Sequence, residues 1–304
     1  MTYDSPFVGP RPFEKEDRGR FYGRTRELEE LLSLIVAHRA VLVYAQSGAG
    51  KTSLLSAGVI PRLEEQGYQV LPIARVQGVV PENVSEAAVR NIFVFHALQY
   101  WLPLLQNGRT AADLTQITLT EFLTPLVPIS SGAEDEAPPP SIIIFDQFEE
   151  FFTVHPERWQ ERAPFFLQLT DALKALPTLK VVFVMREEYI AQLEVYSDNL
   201  PEKLRVRMRL ERLRGNSALT AVVKPFQSWG LSFEEHAAEK LMAELAEIRV
   251  AEGQQFREAR GEFVEPVQLQ VVCQFLWENL PAEWKNGSAP GSSTPHIITD
   301  QYVD

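Results

Sequence analysis

Two hydrophobic periods alternate along the chain. Residues 26 to 36, RELEELLSLIV, set Leu28, Leu31, Leu32 and Ile35 at helical spacing behind acidic first-turn residues, and predict an amphipathic helix. The apolar run AVLVY follows as a short strand, then the small-residue stretch AQSGAGKTS at 45 to 53, then a helix from about Lys51 that fades near Pro61. A second strand falls around 68 to 76 and a helical stretch over 84 to 107. SIIIF at 141 to 145 and LKVVFVM at 179 to 185 are nearly continuous apolar runs, the pattern of strands buried on both faces. Helices over about 157 to 176 and from about 187, and a strand near 204 to 213, continue the alternation, which means a parallel sheet covered on both sides. After Gly215 the segments at about 216 to 227, 233 to 250 and 266 to 280 all carry helical periodicity. ISSGAEDEAPPPS, 129 to 141, reads as a surface loop and NGSAPGSSTPH, 286 to 296, as a flexible linker.

Composition narrows the function classes. The 304 residues are 45% hydrophobic and 23% charged, enough for a sizeable core. Forty-one acidic against 29 basic residues give a net charge of −12, so neither nucleic acid nor an anionic membrane is an expected partner. The single cysteine, Cys273, excludes an internal disulfide framework, and the histidines are scattered without metal-ligand spacing. No apolar run approaches the ~20 residues of a membrane span, and the start MTYDSPFVGPRPF lacks a basic segment followed by an apolar one, so a cytoplasmic location is expected.

The candidate chemistry lies where apolar runs stop. Between a buried strand and a helix, the backbone N–H groups of Ser47, Gly48, Ala49, Gly50, Lys51, Thr52 and Ser53 can converge on an anion. Lys51 would then reach the β- and γ-phosphates of a nucleotide, and the Thr52 hydroxyl would hold Mg²⁺. A βα turn that merely needs Gly48 and Gly50 for positive φ is the bland alternative. The phosphate-loop pattern asks for glycine at 45, where Ala45 adds a Cβ as the strand turns into the loop; if the missing glycine strains it, Ala45→Gly should tighten nucleotide binding. Asp146 ends SIIIF and puts a carboxylate at the C-terminal edge of the sheet, as a second Mg²⁺ ligand. Glu149 and Glu150 follow as candidate catalytic carboxylates. Between them and Asp146, Gln147 offers an amide that can orient water but not take its proton, which predicts slow turnover. Arg186 ends the next buried strand as a candidate sensor of the γ-phosphate, or pairs with Glu187, Glu188 or solvent. Arg205, Arg207 and Arg209 share one strand face, either a polar edge or a docking patch.

PFVGPRPFEKEDRGRFYGRTRELEEL, YAQSGAGKTSLLSAGVIPRL, IIIFDQFEEFF and KVVFVMREEYIAQL together resemble, in order and spacing, the novel STAND NTPase domain of bacterial signal-transduction ATPases with numerous domains, over about residues 5 to 280. The resemblance implies an α/β fold: a three-layer, AAA+-like P-loop NTPase with a parallel sheet of order 5-1-4-3-2 and a small C-terminal helical lid. It implies an ATP/ADP-driven switch that holds ADP at rest and forms a homo-oligomer in its full-length activated state. Phe21, Tyr22, Gly23 and Arg24 match the family's adenine-contact motif, which ends at Glu27, and Pro266 matches its lid proline, with Val264 where the family has glycine. The implied division is 1–24 as an adenine-contact segment, 25–215 as the nucleotide-binding domain, 216–285 as the lid, and 286–304 as linker and the start of a winged helix. The chain is thus expected to be a core without the family's N-terminal effector. A non-catalytic nucleotide-binding scaffold is the first rival, and a DNA-remodelling AAA+ ATPase, disfavoured by the charge, the second.

Overall fold

A computed structural model describes residues 4–105, 108–128, 138–252, 255–285 and 296–303. The loop reading for 129–141 and the linker reading for 286–296 therefore lie, but for 138–141 and His296, outside the described residues. By density of contacts the chain divides into two units: a sheet unit, Glu29–Gln46 with Ile60–Leu210, and a loop-and-lid unit, Met1–Leu28 with Ser47–Val59 and Glu211–Asp304.

Five strands build the sheet unit: β1 (Ala40–Ala45), β2 (Gln69–Val70), β3 (Ser141–Phe145), β4 (Leu179–Arg186) and β5 (Arg207–Arg209). They pair in parallel in the order β2-β3-β4-β1-β5, the order the family resemblance implies. The three central strands are apolar because helices cover both faces, and β3 is buried at every position. Phe145, Phe148, Phe151, Phe165, Phe166 and Phe183 fill this core, with the Phe148 and Phe183 rings 4.8 Å apart.

Several elements are shorter than their apolar pattern suggests. The stretch at 84–107 is α-helical only over Ile92–Trp101, because the Asn91 side chain accepts the Val94 N–H and caps the helix there. The strand expected at 68–76 reduces to β2 and an isolated bridge from Ala74 to Phe145. The strand expected at 204–213 reduces to β5, since Glu202, Lys203 and Leu204 take φ of 52°, 53° and 50°, outside any strand conformation. Pro61 has the opposite outcome. The helix does not fade: α-helical Lys51–Ser53 and π-helical Leu54–Val59 lead into α-helical Ile60–Glu65. The π-helical register shift falls just where proline withholds its N–H, so the ladder passes through.

In the loop-and-lid unit, helices Gly215–Gln227, Glu235–Leu245 and Pro266–Asn279 pack around Phe226, Leu241, Leu269, Cys273 and Trp277. Burial pushes the Cys273 thiol well above its ordinary range, which fits a core residue rather than a nucleophile. The helix expected over 233–250 stops at Leu245; Glu247–Glu252 pairs antiparallel with Gln255–Arg260, as the alternation in EIRVAE and QFREAR permits. His296–Ile298 adds in parallel to Leu231–Phe233, so this unit carries short strands besides its helices. The N-terminal segment belongs to the same unit. Phe7 sits 4.9 Å from the Phe226 ring, and the Val8 N–H donates to Gln270 at 3.0 Å. Burial raises the Asp17 carboxyl, but hydrogen bonds from Arg11 and Arg20 outweigh it and hold the group at about 2.

The aromatic core carries a direct test. Phe183→Ala removes a fully buried ring from β4 and should cost ~3–5 kcal/mol in urea denaturation of the full chain; a loss under ~1 kcal/mol would show that the cluster does not hold the sheet.

Candidate functional site

The glycine-containing loop begins at Gln46, one residue after the last residue of β1. Ala45 itself is a strand residue, fully buried, paired with Arg186 and not among the positive-φ residues. Its Cβ therefore meets no backbone penalty, so the condition under which a missing glycine would strain the turn at 45 is not met. The turn is made by Gly48 at φ +76° and Gly50 at φ +94°, the left-handed region that glycine enters at no steric cost. A Cβ built on either glycine meets nothing within 4 Å, so the space beside the loop is open. Lys51 opens the helix, with Thr52 and Ser53 in its first turn, all three half-buried.

The N-terminal segment grips this loop within the same unit. Arg24 is 4% exposed; its Nη2 donates to the Ala49 carbonyl at 2.8 Å, and its Nη1 to the Glu211 carbonyl at 2.8 Å and to Glu27 at 2.9 Å. Burial pulls the guanidinium below its ordinary value, with Glu27 opposing, and it remains charged. The Ser53 hydroxyl accepts the Phe13 N–H at 3.1 Å. Gly23, at φ +83°, lies against the lid helix: a Cβ there would come within 2.4 Å of the Ser217 carbonyl. Phe21 and Tyr22 are half-buried, and Pro266 takes the first position of the helix Pro266–Asn279, where its missing N–H costs nothing. Among the described residues, no hydrogen bond ties Tyr22 or Pro266 to the loop. The contacts of Arg24 and Phe13 were not legible in the sequence, because backbone carbonyls and hydroxyls leave no residue signature.

The sheet unit supplies the carboxylates. Asp146 follows β3, is 3% exposed, donates its N–H to the Ala74 carbonyl at 3.0 Å, and accepts the Gln147 N–H at 2.8 Å. Gln147 pays for that turn with φ +52°. Glu149 is bound at both oxygens by Arg186, through its Nε at 3.1 Å and its backbone N–H at 3.1 Å. Arg186 is thus paired, with Glu149 rather than with Glu187 or Glu188. Glu150 differs. Burial pushes its carboxyl up, Arg75 at 3.8 Å opposes, and Glu149 and Asp146 add to the rise; its Oε2 is buried without a partner among the described residues. Arg75 carries no signal in the sequence, since it lies 75 residues upstream of Glu150 with no motif to link them.

Two other charged clusters lie outside this group of carboxylates. Arg207 binds Glu194 at 2.9 Å and Arg209 binds Glu187 at 3.0 Å, so that face of β5 is largely neutralised from within its own unit. His155, Glu86 and Glu157 bring ligand-type atoms within 4.8 Å of one another, a grouping the linear spacing hid. Arg158 stands 3.8 Å from Glu86 and opposes a cation there.

The sequence profile of the family described as Novel STAND NTPase 1 matches residues 6–256. Among solved structures, a Walker-type ATPase of Pyrococcus abyssi is similar at TM-score 0.55 and 14% identity, over 91% of this chain and 73% of that one. The ORC2 protein of Aeropyrum pernix in its ADP form is similar at TM-score 0.55 and 14% identity, over 93% of this chain and 67% of that one. At such identity the likeness shows the P-loop ATPase fold alone. No curated protein sequence matches the chain.

Glu150 gives a pH prediction. A carboxyl raised by its site favours the neutral form, so its contribution is intact below the ordinary glutamate range near ~4.3 and is lost as pH rises through the folded value. Glu150→Gln keeps the neutral form at every pH. Its thermal midpoint should exceed wild type at pH 7 and equal it at pH ~4; a midpoint below wild type at pH 7 would contradict the assignment.

Proposed function

The chain belongs to the novel STAND NTPase 1 family by the match over residues 6–256, and from that premise we propose that it is an ATP/ADP-binding regulatory switch with slow, Mg²⁺-dependent hydrolysis. One observation carries the reading: a loop with two left-handed glycines and open space beside it leaves the end of β1 and runs into a helix opened by Lys51. Successive N–H groups in such a turn form an anion nest.

In this reading the backbone of 47–53 cradles the phosphates, Lys51 neutralises the β- and γ-groups, and Phe21, Tyr22, Gly23 and Pro266 serve the adenine. Thr52 and Asp146 are hard oxygen donors, the set that suits magnesium. When bound, Mg²⁺ offsets charge on the phosphate oxygens. Glu150 is the proposed base, because its raised carboxyl accepts a proton more readily while Glu149 is occupied by Arg186. Arg186 is the proposed γ-phosphate sensor: its Nε is held by Glu149, which fixes the guanidinium at the end of β4 while its Nη groups carry the remaining donors. Gln147 keeps an amide beside the metal aspartate, so a bound nucleotide persists long enough to be read. The division at 24, 215 and 285, the signalling role and assembly of a full-length activated state belong to the same proposal.

Calorimetry and single-turnover kinetics test it. Lys51→Ala should remove most ATP and ADP affinity in a folded protein. Wild-type turnover should fall below the enzyme median of ~10 s⁻¹. Glu150→Gln should slow the chemical step by ~10²–10⁴-fold at unchanged ATP affinity, and Gln147→Glu should speed it. Unchanged affinity in Lys51→Ala would sink the phosphate-loop reading; ATP binding without turnover would favour the scaffold.

A further inference from the structure

Arg24 belongs to the stretch matched to adenine contact, yet its described partners are the carbonyls of Ala49 and Glu211 and the carboxylate of Glu27. We propose that Arg24 is a positioning residue, which holds the Ala49–Gly50 peptide so that the Gly50 N–H faces the phosphates. The proposal rests on the nucleotide-binding reading above.

A trans peptide plane points its C=O and the next N–H to opposite sides. Gripping the Ala49 oxygen from one side therefore aims the Gly50 N–H to the other. Something must do so, because the plane borders Gly50 at φ +94°, and glycine adopts either sign of φ with little preference. Ala49 is 1% exposed and Arg24 4%, so water does not compete at this contact, and the ionised donor makes it stronger than a neutral one. Glu27 balances the buried charge at 2.9 Å. The remaining bond, to Glu211 at 2.8 Å, fastens the same guanidinium to the residue where the C-terminal stretch of this unit begins. Arginine suits this task and lysine does not, because only the planar fork serves three acceptors at fixed angles.

The test compares ligands that share the phosphates with one that shares only the base. Affinities for ADP, pyrophosphate and adenosine are measured by calorimetry and competition on wild type, Arg24→Gln and Arg24→Lys, with thermal midpoints as the folding control. The expected result is a tenfold or greater loss for ADP and for pyrophosphate by a similar factor, with adenosine unchanged. Should Arg24→Gln fail to fold, Arg24→Lys is read the same way, with a several-fold loss confined to the phosphate ligands. Unchanged ADP and pyrophosphate affinity in a folded variant overturns the proposal, and so does an equal loss for adenosine, which would mark a base contact or a general collapse. A wild type that binds neither ADP nor pyrophosphate is a different failure, that of the nucleotide reading itself.

Discussion

Parallel pairing of β1 with β4 is the constraint on which the rest depends. Strands buried on both faces have no surface to offer, so chemistry collects where they end, and in a parallel sheet they end on one edge. The register sets Ala45 of β1 opposite Arg186 of β4, and Phe145 of β3 opposite Phe183 of β4. Each next residue outward is a candidate for function: Gln46 starts the candidate phosphate loop and Asp146 follows β3. The aromatic core beneath fixes these ends, since Phe148, two residues beyond Asp146, donates its N–H to the Val184 carbonyl and packs on Phe183.

Around the loop, the protein supplies the rigidity that glycine lacks. Gly48 and Gly50 give the turn its conformation, while Arg24, Phe13 and the buried Ala49 hold it from behind. Preorganisation of this kind lowers the ordering cost of binding. The carboxylates show a matching division of labour: Glu149 is committed to Arg186, whereas Glu150 has a raised carboxyl, Arg75 at 3.8 Å from one oxygen and, among the described residues, no partner for the other.

Legibility in the sequence followed the range of the interaction. The runs AVLVY, SIIIF and LKVVFVM announced β1, β3 and β4, and the stops at Ala45, Phe145 and Arg186 announced the candidate site, because burial on both faces writes itself into consecutive residues. The order β2-β3-β4-β1-β5 came through the family motifs, not through periodicity. Local competition hid the rest. Asn91 caps a helix that its apolar pattern extended backward, a π-helical segment carries the chain past Pro61, and strand alternation at 247–260 was masked by adjoining helical spacing. The strand conformation of Ala45 was not legible because it depends on pairing with a segment 141 residues away. The roles of Arg24 and Arg75 rest on acceptors that no motif records.

Amide hydrogen exchange with and without ADP and Mg²⁺ probes the central claim, that the phosphates seat on the backbone of the loop after β1. The account predicts that ADP slows exchange at the N–H groups of residues 48–52, and that Gly50 is among the protected amides. Exchange at 48–52 that is identical with and without ADP, under conditions where ADP is bound, would place the nucleotide elsewhere and contradict the account.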